Sequence, residues 1–267
     1  MYQWRESFRS QYSLYGDAQD ELFRQPGRVV VSGHRGAKAL WPENTLPGFE
    51  LAIGLGVDSL ETDVNFTRDG RCVICHDSTV DRTTDGTGVI RSYSLEDLRK
   101  LDAGAGFGDG EYAGKGLVIP TLEEFCQLVS QHPKLLLNVE IKDYGLDNVD
   151  QTMATLGAFE LLGRCVITCF HASVLHYLRE RYGIKTQGFL PERMKAYRPE
   201  TEEDLYAVSM SMKDLTPEKT AEIRARGKVA WCWAPDTAEE VRRAVSCGAT
   251  VLTCNDPRPA IEILHST

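Results

Sequence analysis
From residue 28 onward, short aliphatic and β-branched runs alternate with stretches whose apolar positions recur at helical spacing. That alternation predicts repeated βα units, in which parallel strands are covered by helices on the outside. The predicted strands are 29–32, 59–66, 134–141, 164–170, 185–190, 207–212, 229–233 and 250–254. Eight is the strand number of a closed barrel, so the fold expected is α/β, a TIM (β/α)8 barrel. Between these runs, 44–55 carries Leu46, Phe49 and Ile53 at helical spacing, and Thr237 with Glu240 forms a capping box. Pro217 and Pro257 stand where the missing N–H of a first helical residue costs little.

The rhythm breaks over 77–120, a glycine-bearing stretch with few strand signals and one short helical piece at 94–101. It reads as a small insertion after the second strand, capping the catalytic end of the barrel. Residues 1–27 read as an N-terminal extension that closes the barrel floor or packs outside it. The division expected is therefore 1–27 and a barrel over 28–267, with 77–120 inside it. A length of 267 residues, 42% of them hydrophobic, is enough for one such core.

The net charge of -9 comes with scattered rather than clustered basic residues, which argues against nucleic acid as a partner. The first ten residues lack the apolar segment of a secretory signal, and no run approaches the roughly 20 apolar residues of a spanning helix. The expectation is a cytoplasmic protein without integral membrane association, its eight cysteines mostly reduced. Cys72 and Cys75 mimic half a zinc motif, but no second half follows, and residues three apart on a strand face opposite sides. They read as core thiols.

Charged residues at strand ends change the picture. Glu61 and Asp63 lie two apart on a strand, so both carboxylates project from one face, roughly 6.6 Å apart at about 3.3 Å per residue. A strand flanked by Val57, Leu60 and Val64 should not bury two negative charges without a compensating cation. Glu140 and Lys142 repeat the device on a third strand. His34 ends the first strand beside Arg35, whose guanidinium suits a phosphate, and His76 closes the second strand region beside Asp77, which can fix its tautomer. Glu43 and Asn44 open the first helix, where they can cap it or orient inward-facing groups. Carboxylates, imidazoles and cations from several strand ends suit cleavage of a phosphate ester. Trp231 and Trp233 share a face, and Trp233, at the strand end, is the better candidate for stacking on a substrate.

Other signals are weaker. Gly104, Gly106, Gly108 and Gly110 imitate a dinucleotide loop but follow no strand, so they read as a flexible loop. His132, His171, His176 and His265 lack acidic partners at useful spacing and read as peripheral.

With these residues in place, the chain resembles the glycerophosphodiester phosphodiesterase family from residue 30 to about 257. The ordered matches are His34-Arg35-Gly36, Pro42 to Thr45, Glu61 to Val64, Thr67 to Gly70, His76-Asp77, Asp81 to Thr84, Ile119 to Glu124, and Glu140 to Lys142. The resemblance implies a TIM barrel, one Mg2+ or Ca2+ held by Glu61, Asp63 and Glu140, and release of sn-glycerol 3-phosphate and an alcohol from a glycerol phosphodiester. It implies His34 and His76 as the acid/base pair, Arg35 and Lys142 on the phosphate, and Trp233 at a late-strand aromatic position. The chain departs from the family where Ser-Phe becomes Cys169-Phe170, where Thr-Asp-x-Pro becomes Cys254-Asn255-Asp256-Pro257, and where a Trp-Thr-Val-Asn-like segment becomes Trp233-Ala234-Pro235-Asp236. These changes bear on the alcohol accepted more than on the reaction. Two rival readings stand beside this one: a lysophospholipase D or sphingomyelinase-like barrel acting on lipids, and a catalytically silent barrel used for binding.

Overall fold
The computed structural model describes Phe23 and residues 27–265, so the expected extension 1–27 lies outside the described residues except for Phe23 and Gly27. The strands are β1 (Val30–His34), β2 (Ser59–Phe66), β3 (Cys72–Ile74), β4 (Leu136–Ile141), β5 (Cys165–Thr168), β6 (Thr186–Phe189), β7 (Ala207–Ser211), β8 (Val229–Trp233) and β9 (Val251–Cys254). The helices are α1 (Leu46–Leu55), α2 (Leu95–Leu98), α3 (Leu122–Ser130), α4 (Leu146–Ala158), α5 (Ala172–Tyr182), α6 (Thr201–Asp204), α7 (Pro217–Ala225), α8 (Ala238–Ser246) and α9 (Arg258–His265).

Eight strands run parallel in the order β1-β9-β8-β7-β6-β5-β4-β2, and β1 pairs with β2 to close the barrel. The ninth strand, β3, is a short antiparallel neighbour of β2, with Val64 opposite Ile74 and Phe66 opposite Cys72. The hydrophobic pattern contained the eight barrel strands. It did not reveal β3, because three residues are too few for a period to register.

Alternation along the strands sorts the side chains. On β4, Leu137, Val139 and Ile141 join the apolar layer under the helices, and on β9 Leu252 and Cys254 do the same. The intervening residues turn into the barrel. Val30, Leu136, Val166, Ala207, Val229, Trp231 and Val251 close its floor, where Phe23 packs on Trp231 with ring centroids 5.5 Å apart. Polar residues occupy the same face nearer the strand C-termini, where barrel enzymes place their sites.

Helix starts follow local chemistry. Thr121 with Glu124 and Thr237 with Glu240 form reciprocal capping boxes at α3 and α8. At α1 the cap is Thr45, whose hydroxyl accepts from the Gly48 N–H. Asn44, a candidate cap, instead takes φ 56° and turns its side chain inward.

The two faces of β3 explain the cysteines. Cys72 and Ile74 enter the barrel's apolar layer, whereas Val73 and Cys75 face a second small core made with Val80, Ile90, Leu98, Ala103 and Ile119. Residues 77–120 thus carry their own core and dock it on β3. Both thiols are buried and unbridged. No helix among the described residues is long and apolar enough to cross a membrane.

Candidate active site
The turn after β1 is the most constrained piece of backbone at the barrel mouth. Gly33 and Gly36 admit no side chain: a Cβ on Gly36 would come within 2.7 Å of the Gly48 backbone in α1. Arg35 between them takes φ 53°, a conformation most residues avoid. Three contacts hold it there. Its N–H donates to Glu61 Oε2 at 2.9 Å, its Nη1 to Glu43 Oε1 at 2.9 Å, and its Nε lies 3.2 Å from Asp63 Oδ2. Backbone strain of this kind persists where surrounding contacts over-determine it, typically at sites.

Adjacent strands bring the acidic residues together, with Asp63 of β2 in register with Glu140 of β4. Glu61, Asp63 and Glu140 each offer an oxygen, and the three lie within 4.8 Å of one another. Asn44 Nδ2 donates to Asp63 Oδ2 at 2.9 Å. Lys142 Nζ lies 3.2 Å from Asp63 Oδ1 and pairs with Glu140. Three buried carboxylates therefore face two cationic side chains, an unbalanced set. Burial and the Asp63 charge push the Glu61 carboxyl well above the usual range. Asp63 goes the other way: burial opposes its charge, but Lys142 and Arg35 outweigh it and hold the carboxyl low. Asp63 Oδ1 is buried without a directed hydrogen bond among the described residues. An all-carboxylate set with one oxygen to spare fits a hard divalent cation such as Mg2+ or Ca2+.

The imidazoles flank this cluster. His34 Nε2 lies 3.8 Å from Glu61 Oε2, and its Nδ1 meets Asn255 Oδ1 at 2.6 Å. Burial first, and then the Arg35 and Lys38 charges, lower its pKa to about 3. His76 Nδ1 meets Asp77 Oδ1 at 2.6 Å. Burial lowers its pKa too, against the raising effect of Asp63.

Between them lies a cavity of about 120 Å³ lined by His34, Arg35, Glu61, His76, Glu140 and Lys142, and by the aromatic rings of Phe170, Phe189 and Trp233. Phe170 and Phe189 stack at 3.7 Å, and the buried Trp233 Nε1 has no hydrogen-bond partner among the described residues. Asn138, Thr168 and Gln187 add a polar floor through the bonds Thr168 Oγ1 to Asn138 Oδ1, 2.9 Å, and Asn138 Nδ2 to Gln187 Oε1, 2.8 Å.

Every residue singled out in the sequence for this site is at this mouth. Besides the cavity residues Asn138, Thr168, Phe170, Gln187 and Phe189, three more that were not singled out stand just behind the histidines. Asn255 and Asp236 stand behind His34, with Asn255 Nδ2 donating to Asp236 Oδ2 at 2.6 Å and the Asn255 N–H donating to Asp236 Oδ1 at 2.6 Å. Arg82 stands behind His76 and donates to both Asp77 and Glu43. Arg82 had only its membership in the matching segment Asp81 to Thr84 as a sequence signal, while Asn255 and Asp236 lay in segments that depart from the family pattern. The remaining histidines do not line the cavity, although His171 follows Phe170 and packs on Tyr144, and His176 and His265 have acidic neighbours, Asp204 at 3.1 Å and Asp58 at 3.2 Å. Those carboxylates are distant in sequence, which is why spacing missed them.

A parallel eight-stranded barrel presenting carboxylates, imidazoles and cations at the C-terminal ends of its strands defines an enzyme of the phosphoester-cleaving class. A family model, the glycerophosphoryl diester phosphodiesterase family, matches residues 34–258, and the chain belongs to that family. It is a phosphoric diester hydrolase. It is 30% identical over 249 residues to a glycerophosphodiester phosphodiesterase of Caldanaerobacter subterraneus subsp. tengcongensis, covering 89% of this chain and 98% of that one. A Bacillus subtilis (strain 168) enzyme of the same name is 29% identical over 252 residues, covering 87% of this chain and 85% of that one. An Oleispira antarctica phosphodiesterase, solved with the product sn-glycerol-3-phosphate, superposes with a TM-score of 0.75 at 26% identity, covering 89% of this chain and 97% of that one.

Proposed function
We propose that this chain hydrolyses glycerophosphodiesters to sn-glycerol 3-phosphate and an alcohol, with Glu61, Asp63 and Glu140 holding one Mg2+ or Ca2+. The convergence of three buried carboxylate oxygens within 4.8 Å, flanked by two imidazoles, carries the reading. When bound, the cation supplies Lewis-acid polarisation of a phosphate oxygen. Arg35 and Lys142 neutralise charge on the phosphate. Trp233 offers a ring face and an unpaired indole N–H to the organic part of the substrate, in the cavity that Phe170 and Phe189 also line.

The hydrogen bonds support a reading in which the two histidines do different work. Asp236 takes both N–H groups of Asn255, so the amide oxygen faces His34 Nδ1. That oxygen only accepts, so His34 carries its proton on Nδ1 and a lone pair on Nε2, on the side of Glu61. His34 then suits removal of the nucleophile's proton, whether that nucleophile is water or the substrate's own glycerol hydroxyl. His76 leans on a carboxylate, Asp77, which stabilises the imidazolium, so it suits protonation of the departing alkoxide. Asn44 and Glu43 hold Asp63 and Arg35 in place.

Release of glycerol 3-phosphate from glycerophosphocholine, with Mg2+ or Ca2+ added and then chelated, tests the reading. Glu61→Gln and His76→Ala should each reduce turnover by about 10²-fold or more. Full activity in either variant, or in chelator, would refute it.

A further inference from the structure
Just outside the cavity, Arg82, within 77–120, places all three of its guanidinium nitrogens on two carboxylates. Its Nε donates to Asp77 Oδ2 at 2.7 Å, while Nη1 and Nη2 both reach Glu43, each at 2.8 Å. Asp77 is the carboxylate on His76, and Glu43 is the one on Arg35. One guanidinium thereby joins the element carrying His76 to the turn carrying Arg35, through an unbroken run Arg35–Glu43–Arg82–Asp77–His76. The side chain is about half exposed, 49%, and a single exposed ion pair of that kind contributes little. A planar fork that satisfies two carboxylates at once fixes direction as well as charge.

The backbone under Arg82 is equally determined. A Cβ on Gly106 would strike the Arg82 carbonyl oxygen and come 2.8 Å from Thr83 Cα. The glycine-bearing segment that imitates a nucleotide loop is therefore packed directly against the Arg82 turn. Thr84 tightens the same turn by donating to the Val80 carbonyl.

We infer that Arg82 is a positioning residue for this reaction: its forked bonds to Asp77 and Glu43 set the mutual orientation of His76 and Arg35, and Gly106 seats it. The inference rests on the reading that His76 protonates the leaving alkoxide. With His76 misaligned, the penalty should fall on substrates whose leaving group needs that proton.

The test compares wild type, Arg82→Ala, Arg82→Lys and Gly106→Ala on glycerophosphocholine and on an aryl ester of glycerol phosphate with a nitrophenyl leaving group. Melting temperature and guanidinium rescue are measured alongside. In Arg82→Ala, kcat on glycerophosphocholine should fall about 10- to 100-fold, as for loss of an orienting outer partner. The loss should shrink to a few-fold on the aryl ester, and added guanidinium should restore part of it. Arg82→Lys, a point charge without the fork, should recover little, and Gly106→Ala should show the same split between substrates in a smaller degree. Equal losses on both esters, full recovery in Arg82→Lys, or losses that follow melting temperature alone would overturn the inference. A wild type inactive on glycerophosphocholine would instead overturn the underlying reading.

Discussion
Asn255 and Asp236 bear on each other across 19 positions of sequence. The pattern that the family resemblance carries has an amide after the tryptophan strand and a carboxylate after the last strand; this chain has Asp236 and Asn255 in those places. In this chain the Asn255 amide donates to Asp236 and turns its oxygen to His34. Asn255→Asp alone would set two carboxylates against each other where 2.6 Å now separates Nδ2 from Oδ2, and kcat should fall about 10-fold or more. The double variant Asp236→Asn with Asn255→Asp should regain much of that loss, with a coupling of about 0.5–3 kcal/mol in a double-mutant cycle of kcat/KM. Strict additivity would show that the pair is not coupled. Glu43 supplies a pH dependence. Burial raises its carboxyl, but the Arg82 hydrogen bonds and the Arg35 charge outweigh this and hold it at about 2. A folded pKa below the ordinary value adds stability that is complete above about pH 5 and is lost as pH falls toward 2. Urea unfolding should therefore find wild type more stable than Glu43→Gln at pH 7, by no more than about 3 kcal/mol, with the gap narrowing as pH falls from about 5 toward 2.

At the scale of elements, β3 does what no barrel strand can. Its Cys72 and Ile74 continue the barrel's apolar layer while Val73 starts the separate core of the insertion, so it transmits the barrel's geometry to His76, Asp77 and Arg82. Leu98 is fully buried in that second core. Leu98→Ala should cost about 2–5 kcal/mol locally, and hydrogen exchange should rise across 77–120 more than in the barrel strands. An even rise throughout would show that the insertion has no independent stability. These contacts also mark where sequence reading ran out. The eight barrel strands were legible because burial on both faces makes each a short aliphatic or β-branched run set between helical stretches, and Glu61, Asp63, Glu140 and Lys142 were legible because residues two apart must share a face. Strand β3 was too short to register. Arg82 and Glu43 are 39 residues apart, and no periodicity links an insertion to a turn on another strand. The Gly106 segment is a run of turns, as its glycines suggested, but the steric demand that the Arg82 turn places on Gly106 exists only in the folded chain.

For the molecule as a whole, the barrel concentrates unlike demands at its two ends. The floor is apolar, sealed by Trp231 and its neighbours, while the mouth holds three carboxylates against Arg35 and Lys142. That imbalance costs folding stability unless a divalent cation offsets it. The cation should therefore act as a folding ligand as well as a cofactor. At a hundred times its dissociation constant, Mg2+ or Ca2+ should add about 2.7 kcal/mol, which for a chain of this size corresponds to a rise of about 5–10 °C in Tm, reversed by chelator. Glu61→Gln separates the two roles. Removing one of three like charges should leave the cation-free protein at least as stable as wild type, because burial and Asp63 already disfavour the Glu61 charge. The same substitution removes a donor and should abolish most of the cation-induced rise. In calorimetry the two proteins should thus exchange rank, the variant melting higher in chelator and the wild type higher in saturating cation. A variant that melts lower in both conditions would mean that Glu61 serves the fold rather than the ion, and the assignment of the carboxylate cluster as a cation site would fail with it.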